Sequence, residues 1–375
     1  MDSKKNSLLR VLALIILLWI FLISVNGLGA TFKYFKETVE SILSMSDGHP
    51  IIGLLIGIIA TSIVQSSSTT TSLIVTLVAS GTITLPQAIP MIMGANIGTT
   101  ITNTLVSMGS ITRREEFRRS FAAANIHDMF NLMAVIIFLP LELMTGLISK
   151  SAIAITGMFF EETSIDKPNS FIKNHFKSVI KEIKNFFTDI FDEKGGHFAL
   201  LIVSILFMIL SLTFIVKTMK GPILAKAELF FDKIVGSHSL VAILFGAILT
   251  ALVQSSSITT SLMVPLAGAG VITLRNLFPV TLGCNIGTTI TALLAALAST
   301  GEHSHLAITI AVCHVLFNIY GIVFLYYVPP IRELIIKMAE KLAELCQKNR
   351  WFAPLYVVVI FFLIPGLAVL IQKFV

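Results

Sequence analysis

Charged residues are scarce in this chain. Only 13% of its 375 residues are Asp, Glu, Lys or Arg, whereas a soluble globular domain carries about 25%. Hydrophobic residues make up 55%, and the mean hydropathy is +0.89. This composition excludes an ordinary water-soluble domain and is typical of a protein embedded in a lipid bilayer.

Cysteine is also rare, and acidic and basic residues nearly balance. Cys284, Cys313 and Cys346 lie in or beside apolar segments without CxxC spacing, which excludes a disulfide framework or a zinc ribbon. We expect them to pack as small apolar side chains. The net charge of +6 is modest and flanks the apolar runs, so we expect no nucleic-acid partner.

The apolar segments are continuous and do not alternate with polar residues, which argues against a transmembrane barrel. Several approach the roughly 20 residues that a helix needs to cross a bilayer. The pattern predicts an all-α polytopic membrane protein. The clearest runs are Leu8–Val25, Ala122–Leu139, Leu200–Val216, Leu306–Val328 and Tyr356–Ile371.

The N-terminus allows two interpretations. Lys4, Lys5 and Arg10 precede an apolar run, as in a secretory signal, but the run is longer than the usual apolar core of a signal peptide. We therefore expect a retained first transmembrane helix, with a cleaved signal as the alternative.

Two polar words occur twice in the chain. The word at residues 65–72, QSSSTTTS, returns at 254–261 with seven of eight positions identical, and GANIGTTIT at 94–102 returns at 283–291 with eight of nine. Both pairs are separated by 189 residues. A later match, HDMFN at 127–131 with HVLFN at 314–318, shows that a whole structural unit is repeated.

The duplication divides the chain into six parts. We predict an N-terminal transmembrane helix and connector, a first repeat, a polar amphipathic connector, a transmembrane helix with linker, a second repeat, and a basic amphipathic segment with a final transmembrane helix. Their bounds are 1–50, 51–147, 148–196, 197–238, 239–330 and 331–375.

The QSSS words interrupt apolar segments, and hydroxyl groups at membrane depth need polar partners. We expect each segment to fold back as a re-entrant hairpin at the polar break. Serine and glutamine both donate and accept hydrogen bonds, and the start of a half-helix adds free N–H groups. Such a site suits an oxyanion, while its oxygens also suit a small hard cation.

The second word looks like a helix interrupted by its glycines. Its polar side chains offer oxygen ligands in both copies: Asn96, Thr99 and Thr100, and Asn285, Thr288 and Thr289. The alternative is plain helix packing through small residues. Because two copies accompany the two QSSS words, we favour a functional role.

Asp128 is a lone carboxylate in an apolar helix, and an intramembrane acid is a functional candidate by default. The second repeat has Val315 at the corresponding position. An ion pair at a helix end is the alternative. We expect His127 and His314 to be packing residues whose polar atoms are satisfied.

Two basic clusters indicate how the repeats insert. The first GxNIGTT word is followed by Arg113, Arg114, Arg118 and Arg119. The second repeat is followed by Arg332, Lys337, Lys341, Lys348 and Arg350. If both are cytoplasmic, the repeats insert with opposite polarity. The same count puts the N-terminus in the cytoplasm and favours a C-terminus outside. We leave the side of the C-terminus open.

These words together resemble the type II sodium/phosphate cotransporter family. The resemblance covers both repeats and the 350–353 RWFA entry to the last helix, and it includes the FRR word at 117–119. It implies an inverted repeat with two re-entrant hairpins and broken helices that meet near the bilayer midplane. It also implies inward sodium flow coupled to phosphate uptake, and an additional sodium tied to Asp128.

Residue chemistry and resemblance together predict two sets of ligands. Substrate is expected at Gln65, Ser66, Ser67, Ser68, Gln254, Ser255, Ser256, Ser257, Asn96, Asn285 and Arg119. Sodium is expected at Ser66, Ser67, Thr99, Thr100, Asp128, Ser255, Ser256, Thr288 and Thr289. Sodium serves as the coupling ion, and we expect no organic cofactor and no enzymatic activity.

The chain departs from the animal members in its short, cysteine-free stretch between the repeats, which indicates a compact bacterial member in an inner or plasma membrane. Three alternatives remain open: a symporter for another anion such as sulfate, arsenate or a carboxylate, an intramembrane serine hydrolase, and a purely structural membrane scaffold. Monomer and dimer are both left open.

Overall fold

The computed structural model describes residues 2–37, 49–158, 170–234, 238–299 and 303–372. Within these ranges the chain is helical and contains no β-strand. The helices are α1 (Asp2–Tyr34), α2 (Pro50–Val64), α3 (Ser67–Ala79), α4 (Leu85–Gly98), α5 (Ile101–Ser107), α6 (Arg114–Thr145), α7 (Leu147–Thr156), α8 (Ser170–Ile190), α9 (Glu193–Ile234), α10 (Ser239–Val253), α11 (Ser256–Gly268), α12 (Leu274–Ala298), α13 (Ser304–Gly321), α14 (Pro329–Lys348), α15 (Phe352–Val358) and α16 (Ile364–Gln372).

Among the described residues, six segments are long and apolar enough to cross a membrane, which confirms the polytopic all-α class. Five of them correspond to the runs predicted from sequence. The sixth lies in α12, where the polar GCNIGTT word hides the span from a search for continuous apolar residues. The segments are Leu9–Tyr34, Arg114–Thr145, Glu193–Ile215, Leu274–Ala298, Ser304–Tyr326 and Phe352–Ile371.

The duplication in sequence is a duplication in structure. Helices α2 and α10 have 15 residues each, and α3 and α11 have 13 each. All four are shorter than the roughly 20 residues needed to cross a bilayer. Each pair forms a helical hairpin that turns at its QSSS word, followed by a longer helical segment that carries the GxNIGTT word.

The prediction that glycines interrupt the GxNIGTT helices is wrong for Gly94, Gly283 and Gly287, whereas α4 does end at Gly98. Helix α4 runs through Gly94, and α12 runs through Gly283. A Cβ atom on Gly94 would lie 1.9 Å from the Leu54 carbonyl oxygen, and one on Gly283 would lie 1.9 Å from that of Ile243. The glycines therefore let α4 pack directly on the backbone of α2, and α12 on that of α10.

In the second repeat, the hairpin formed by α10 and α11 starts and finishes on the side of the molecule that carries the first arginine cluster, at residues 113–119. Its final turn packs on the start of α6, since a Cβ on Gly270 would meet the Arg119 guanidinium at 2.4 Å. In its first helix, the carbonyls of Ile243 and Ala247 pack on Gly283 and Gly287 of α12, respectively, so α10 and α12 run in the same direction. Helix α12 then runs to the opposite end, where the Ala298 carbonyl accepts a hydrogen bond from Asn26.

The hairpin of the first repeat begins and ends at that opposite end. Its final turn packs on the start of α13, where His303 N–H donates to the Ala79 carbonyl at 3.3 Å. At its start, Gly53 packs on the Gln87 carbonyl, two residues into α4. Helix α6 therefore starts at one end and α13 at the other, so the two repeats run in opposite directions through the molecule.

The remaining helices surround the repeats. Helix α1 packs along α9, and its Phe21 and Leu28 reach the main core. Helix α14 packs on α6, where Gln347 donates to the Arg114 carbonyl at 3.2 Å. The two basic clusters predicted from sequence are therefore neighbours, although more than two hundred residues separate them along the chain.

The amphipathic connector is present as α8, whose Ile180 is buried against Ile23 of α1 and Leu200 of α9. The part of the predicted connector at 159–169 lies outside the described residues. Helix α8 ends at Ile190, before glycines 195 and 196. They lie in the first turn of α9, where Asp192 accepts the N–H of Gly195 at 2.7 Å.

Candidate functional site

Both hairpins turn at a glutamine with unusual backbone geometry. Gln65 has φ 57° and ψ 25°, and Gln254 has φ 58° and ψ 25°. Among the described residues these are the only non-glycine residues with positive φ. A side chain in the left-handed region is strained, and strain repeated at the same position of two copies points to a functional constraint.

The next residue of each word caps the second helix of its hairpin. The Ser66 hydroxyl accepts hydrogen bonds from the N–H of Thr69 at 3.2 Å and from its hydroxyl at 2.9 Å. In the second repeat, the Ser255 hydroxyl accepts from the N–H of Ile258 at 3.4 Å. Because these residues are N-caps, the first N–H groups of α3 and α11 follow directly after each turn.

The two turns meet. The Ser68 hydroxyl donates to the Gln254 carbonyl at 3.4 Å, and Thr291 donates to the Ser68 hydroxyl at 3.4 Å. Ser67, Ser68 and Ser256 are buried, while Ser66 is half-buried. The structure thus brings words 189 residues apart into one polar region inside an apolar protein.

A threonine links the two words of each repeat. Thr102 donates to Gln65 Oε1 at 2.9 Å, and the corresponding Thr291 donates to Gln254 Oε1 at 2.7 Å. Each glutamine amide also donates back to a carbonyl of the preceding helix, that of Ser62 or Ala251. The sequence argument gave these two threonines no role, although their identity in both copies was a usable signal.

Asn96 binds residues of the opposite repeat. Its Oδ1 lies 2.9 Å from Nε2 of His314, and its Nδ2 donates to Oδ1 of Asn318 at 3.0 Å. The Asn318 amide in turn donates to the His314 carbonyl. All three side chains are buried.

Asn285 makes the corresponding contacts in reverse. Its Oδ1 is hydrogen-bonded to Nε2 of His127, and its Nδ2 donates to Oδ1 of Asn131 at 2.8 Å. Asn131 also donates to the Asn96 carbonyl at 2.9 Å, which joins the two sets into one network. We call these six residues the inter-repeat clasp: Asn96, His127, Asn131, Asn285, His314 and Asn318.

The clasp changes how two predicted ligands are understood. The side-chain amides of Asn96 and Asn285 are occupied by histidine and asparagine partners, so in this structure they join the repeats. Each histidine uses Nε2 for this bond, but its buried Nδ1 has no hydrogen-bond partner among the described residues, so the expectation that all polar atoms of both histidines are satisfied is wrong. Sequence alone had not singled out Asn131 or Asn318, although the shared HxxxN spacing contained them.

Of the four predicted threonine ligands, Thr99 and Thr100 lie in the break between α4 and α5, and Thr288 and Thr289 lie on α12. Their hydroxyls donate to carbonyls of their own helices, as Thr99 does to Ala95 at 2.9 Å and Thr288 to Cys284 at 3.0 Å. Thr100 and Thr289 do the same. A hydroxyl that donates in this way keeps oxygen lone pairs for a cation.

The two repeats differ at the end of the GxNIGTT word and in the residues that follow it. Helix α4 ends at Gly98 and α5 starts at Ile101, whereas α12 is continuous. The side-chain oxygen Oδ1 of Asn103, on α5, accepts hydrogen bonds from the hydroxyls of Thr260 at 2.8 Å and Ser261 at 3.1 Å. Its counterpart is Ala292, so this bridge to the opposite hairpin exists in one copy only.

Asp128 is buried, with 2% of its surface exposed. Its Oδ2 accepts a hydrogen bond from the Tyr356 hydroxyl of α15, and the carboxylate lies near the side chain of Thr100, whose hydroxyl donates to the Ile97 carbonyl. Thr100 belongs to the first GxNIGTT word, so the predicted acid lies next to a predicted hydroxyl ligand. Sequence reasoning missed Tyr356, because it lies outside both repeats.

Arg119 lies away from the two turns. It is exposed, its Nε donates to the Glu115 carbonyl at 3.4 Å, and it lines an open cavity of about 280 Å³. Arg118, Thr273 and Glu340 also line this cavity, and no residue of the QSSS words does. The structure therefore does not bring Arg119 together with the other predicted substrate ligands.

The polar region at the turns is rich in neutral donors and acceptors. Hydroxyls, glutamine amides and two helix N-termini converge there without a charged side chain from either word. Helix N-termini attract anions, and oxygen ligands suit a hard cation. Among the described residues, no group of three or more His, Cys, Asp or Glu side chains could hold a metal ion.

The sequence profile of a family described as Na+/Pi-cotransporter matches residues 20–160 and 201–335. The chain is 33% identical over 449 residues to sodium-dependent phosphate transport protein 2B of Pongo abelii, covering 95% of this chain and 64% of the relative. It is 34% identical over 432 residues to sodium-dependent phosphate transport protein 2A of Rattus norvegicus, covering 96% of this chain and 67% of the relative.

The chain spans about two thirds of the length of these relatives, 64% for the first of them. That alignment extends over 449 positions, more than the 375 residues of this chain, so the relative carries insertions. No solved structure matched the fold.

Proposed function

This chain belongs to the Na+/Pi-cotransporter family, and on that premise we propose that it is a secondary active symporter that imports inorganic phosphate together with sodium. The observation that carries the proposal is the meeting of the two QSSS turns inside an apolar, membrane-length helical protein. Duplicated polar breaks from oppositely directed repeats are where such carriers bind their substrates.

The chemistry of the turns supports binding of an oxyanion. The N-termini of α3 and α11 and the serine hydroxyls of both words supply donors to phosphate oxygens. Glutamine and threonine oxygens supply ligands to sodium. Because neither word contains an acid or a base, bound sodium ions would provide the charge that balances the anion.

Asp128 supports an additional, charge-carrying sodium. A divalent phosphate with two sodium ions moves no net charge, and a third sodium gives the cycle one positive charge inward. Asp128 lies next to Thr100 at the break between α4 and α5, where helix-end carbonyls also favour a cation. We propose that the transport is therefore electrogenic.

We also propose how the chain lies in the membrane. Each hairpin enters the bilayer from one side and returns to it, and the six-part division predicted from sequence applies. The arginine end faces the cytoplasm together with the N-terminus, because α1 runs from the arginine end toward the opposite end, where the carbonyl of Phe32, near the last residue of α1, accepts a hydrogen bond from Thr82. The protein resides in an inner or plasma membrane as a multi-pass protein.

Cysteine labelling tests this topology. In a background where the three buried cysteines are replaced by alanine, Arg113→Cys should be labelled by an impermeant maleimide only from the cytoplasmic face. Asp189→Cys, in the exposed part of α8, should be labelled only from the opposite face. Labelling of both positions from one side would contradict the inverted arrangement.

Uptake by purified protein in liposomes tests the function. We expect an inward sodium gradient to drive accumulation of radiolabelled phosphate, and a potassium gradient of equal size to give none. A tenfold excess of sulfate or of a dicarboxylate should leave phosphate uptake unchanged. Competition by either anion as strong as that of unlabelled phosphate would favour a carrier for that anion, and protein-free liposomes give the background.

The serine hydrolase alternative has less support. It needs a base beside a serine, and both histidines of the repeats use Nε2 to bind asparagine side chains. A purely structural scaffold would not need two strained glutamines at duplicated polar turns. Oligomeric state is left as a choice between monomer and dimer.

A further inference from the structure

The environment of Asp128 contains a residue that neither repeat supplies. The Tyr356 hydroxyl donates to Oδ2 of Asp128, and Tyr356 belongs to α15, after the second repeat. Its ring packs between those of Phe121 and Phe361, with ring centroids 6.4 and 6.2 Å away. Because both neighbouring rings are fully buried, they fix the direction in which the hydroxyl points.

Asp128 lacks a cationic partner in the part of the chain that the structure describes. It is 2% exposed, the Tyr356 hydroxyl donates to it, and the nearby Thr100 hydroxyl donates to the Ile97 carbonyl. Burying a carboxylate is costly unless a cation or a full set of donors compensates it. A neutral hydroxyl donor leaves the group short of positive charge.

Three features that are not duplicated lie together at Asp128. The break between α4 and α5 at Thr99–Thr100 has no counterpart in the continuous α12. Asp128 corresponds to Val315, and Tyr356 lies outside the duplicated sequence. A structural need common to both repeats would produce these features twice, so their coincidence indicates a task that the first repeat performs alone.

We propose that Tyr356 is a positioning residue for a monovalent cation bound at Asp128. Its hydroxyl holds Oδ2, which leaves Oδ1 of the same carboxylate and the hydroxyl of Thr100 to bind the cation. The inference rests on the proposed sodium coupling and deepens it, since it makes the final helix part of the cation site. Movement of α15 relative to α6 would then change the affinity for the cation.

Tyr356→Phe tests the proposal, because it removes one oxygen and keeps the packed ring. We expect the sodium concentration for half-maximal uptake to rise roughly tenfold, as for loss of a hydrogen bond to a charged group. The KM for phosphate at saturating sodium and the charge moved per phosphate should stay within twofold of the wild type. Tyr326→Phe is the matched control, since its hydroxyl bonds Ser239 at 2.9 Å in the same protein and should change neither quantity.

A double variant separates positioning from a general structural effect. In the Asp128→Asn background, adding Tyr356→Phe should cause no further change in sodium dependence, because the two residues act as a unit. An equal tenfold change in both backgrounds, or none in the wild-type background, would overturn the role of Tyr356.

Sodium-induced thermal stabilisation of the purified protein gives a second readout that needs no transport. The wild type should melt at higher temperature with increasing sodium, and Tyr356→Phe should require roughly tenfold more sodium for the same rise. If the wild type binds sodium but takes up no phosphate, the proposed function fails and the cation site stands. If wild-type uptake needs sodium but Tyr356→Phe matches it in both assays, only the Tyr356 proposal fails.

Discussion

Alanine at Ser67 or Ser256 should lower sodium-dependent phosphate uptake by roughly 5- to 150-fold while the protein still folds. Each substitution removes a hydroxyl from the buried start of α3 or α11 and leaves a bound ligand atom unpaired, a loss of about 1–3 kcal/mol. Initial uptake rates in proteoliposomes, at matched protein content, measure the effect.

Ser66 and Ser255 need a different substitution, because both also cap a helix. Alanine at an N-cap costs about 1 kcal/mol of stability, whereas glycine costs a few tenths. Ser66→Gly and Ser255→Gly should therefore lose uptake with little loss in melting temperature. Ser299→Ala is the control, a buried serine at the end of α12 whose hydroxyl bonds only the Ala295 carbonyl among the described residues. Wild-type kinetics in all four site variants would refute the QSSS site.

Removal of the Asp128 charge should uncouple transport from the membrane potential. We expect an inside-negative potassium diffusion potential to accelerate wild-type uptake, since one inward charge gains roughly 2.3 kcal/mol per 100 mV. Asp128→Asn should either abolish uptake or leave it independent of the potential, with one fewer sodium per phosphate. Paired measurements of labelled sodium, labelled phosphate and current give the ratio.

Glu142→Gln is the matched control for this experiment. Glu142 lies on the same helix α6, and its carboxylate accepts the N–H of Ile148 at 2.6 Å at the start of α7. The substitution removes the same charge at a distance from the proposed site, so the voltage response should persist. A wild type indifferent to the potential, or Asp128 variants with a full voltage response, would reduce Asp128 to a structural group.

The sequence predicted most of the fold because the relevant signals are local. Continuous apolar runs located five of the six membrane-length helices, and equal offsets between duplicated words revealed the two repeats. The sixth span, α12, was missed because its polar GCNIGTT word interrupts the apolar run. The polar side chains of that word form their hydrogen bonds inside the protein. Gly94 and Gly283 were misassigned, since a glycine that breaks a helix and one that packs against a neighbouring backbone look the same in sequence.

The candidate site was predicted less completely. The duplicated words identified the turns, and Asp128 stood out as an acid in an apolar helix. Thr102 and Thr291 also complete the site, and their identity in both copies was a signal that was not used, whereas Tyr356 lies outside both repeats and carried none. Arg119 was grouped with the ligands because it lies in the FRR word that resembles the family, but it lines an open cavity away from the turns.

The sequence by itself determined the membrane class, the duplication, the polar turns and the family, because composition, spacing and word identity are properties of the linear chain. Only the tertiary structure decided that Asn96 and Asn285 bind the histidines of the opposite repeats, that the turns of the two hairpins touch, and that Tyr356 reaches Asp128. Those contacts join residues 158 to 228 positions apart. Their partners are selected by how helices cross and pack, which no local pattern of residues specifies.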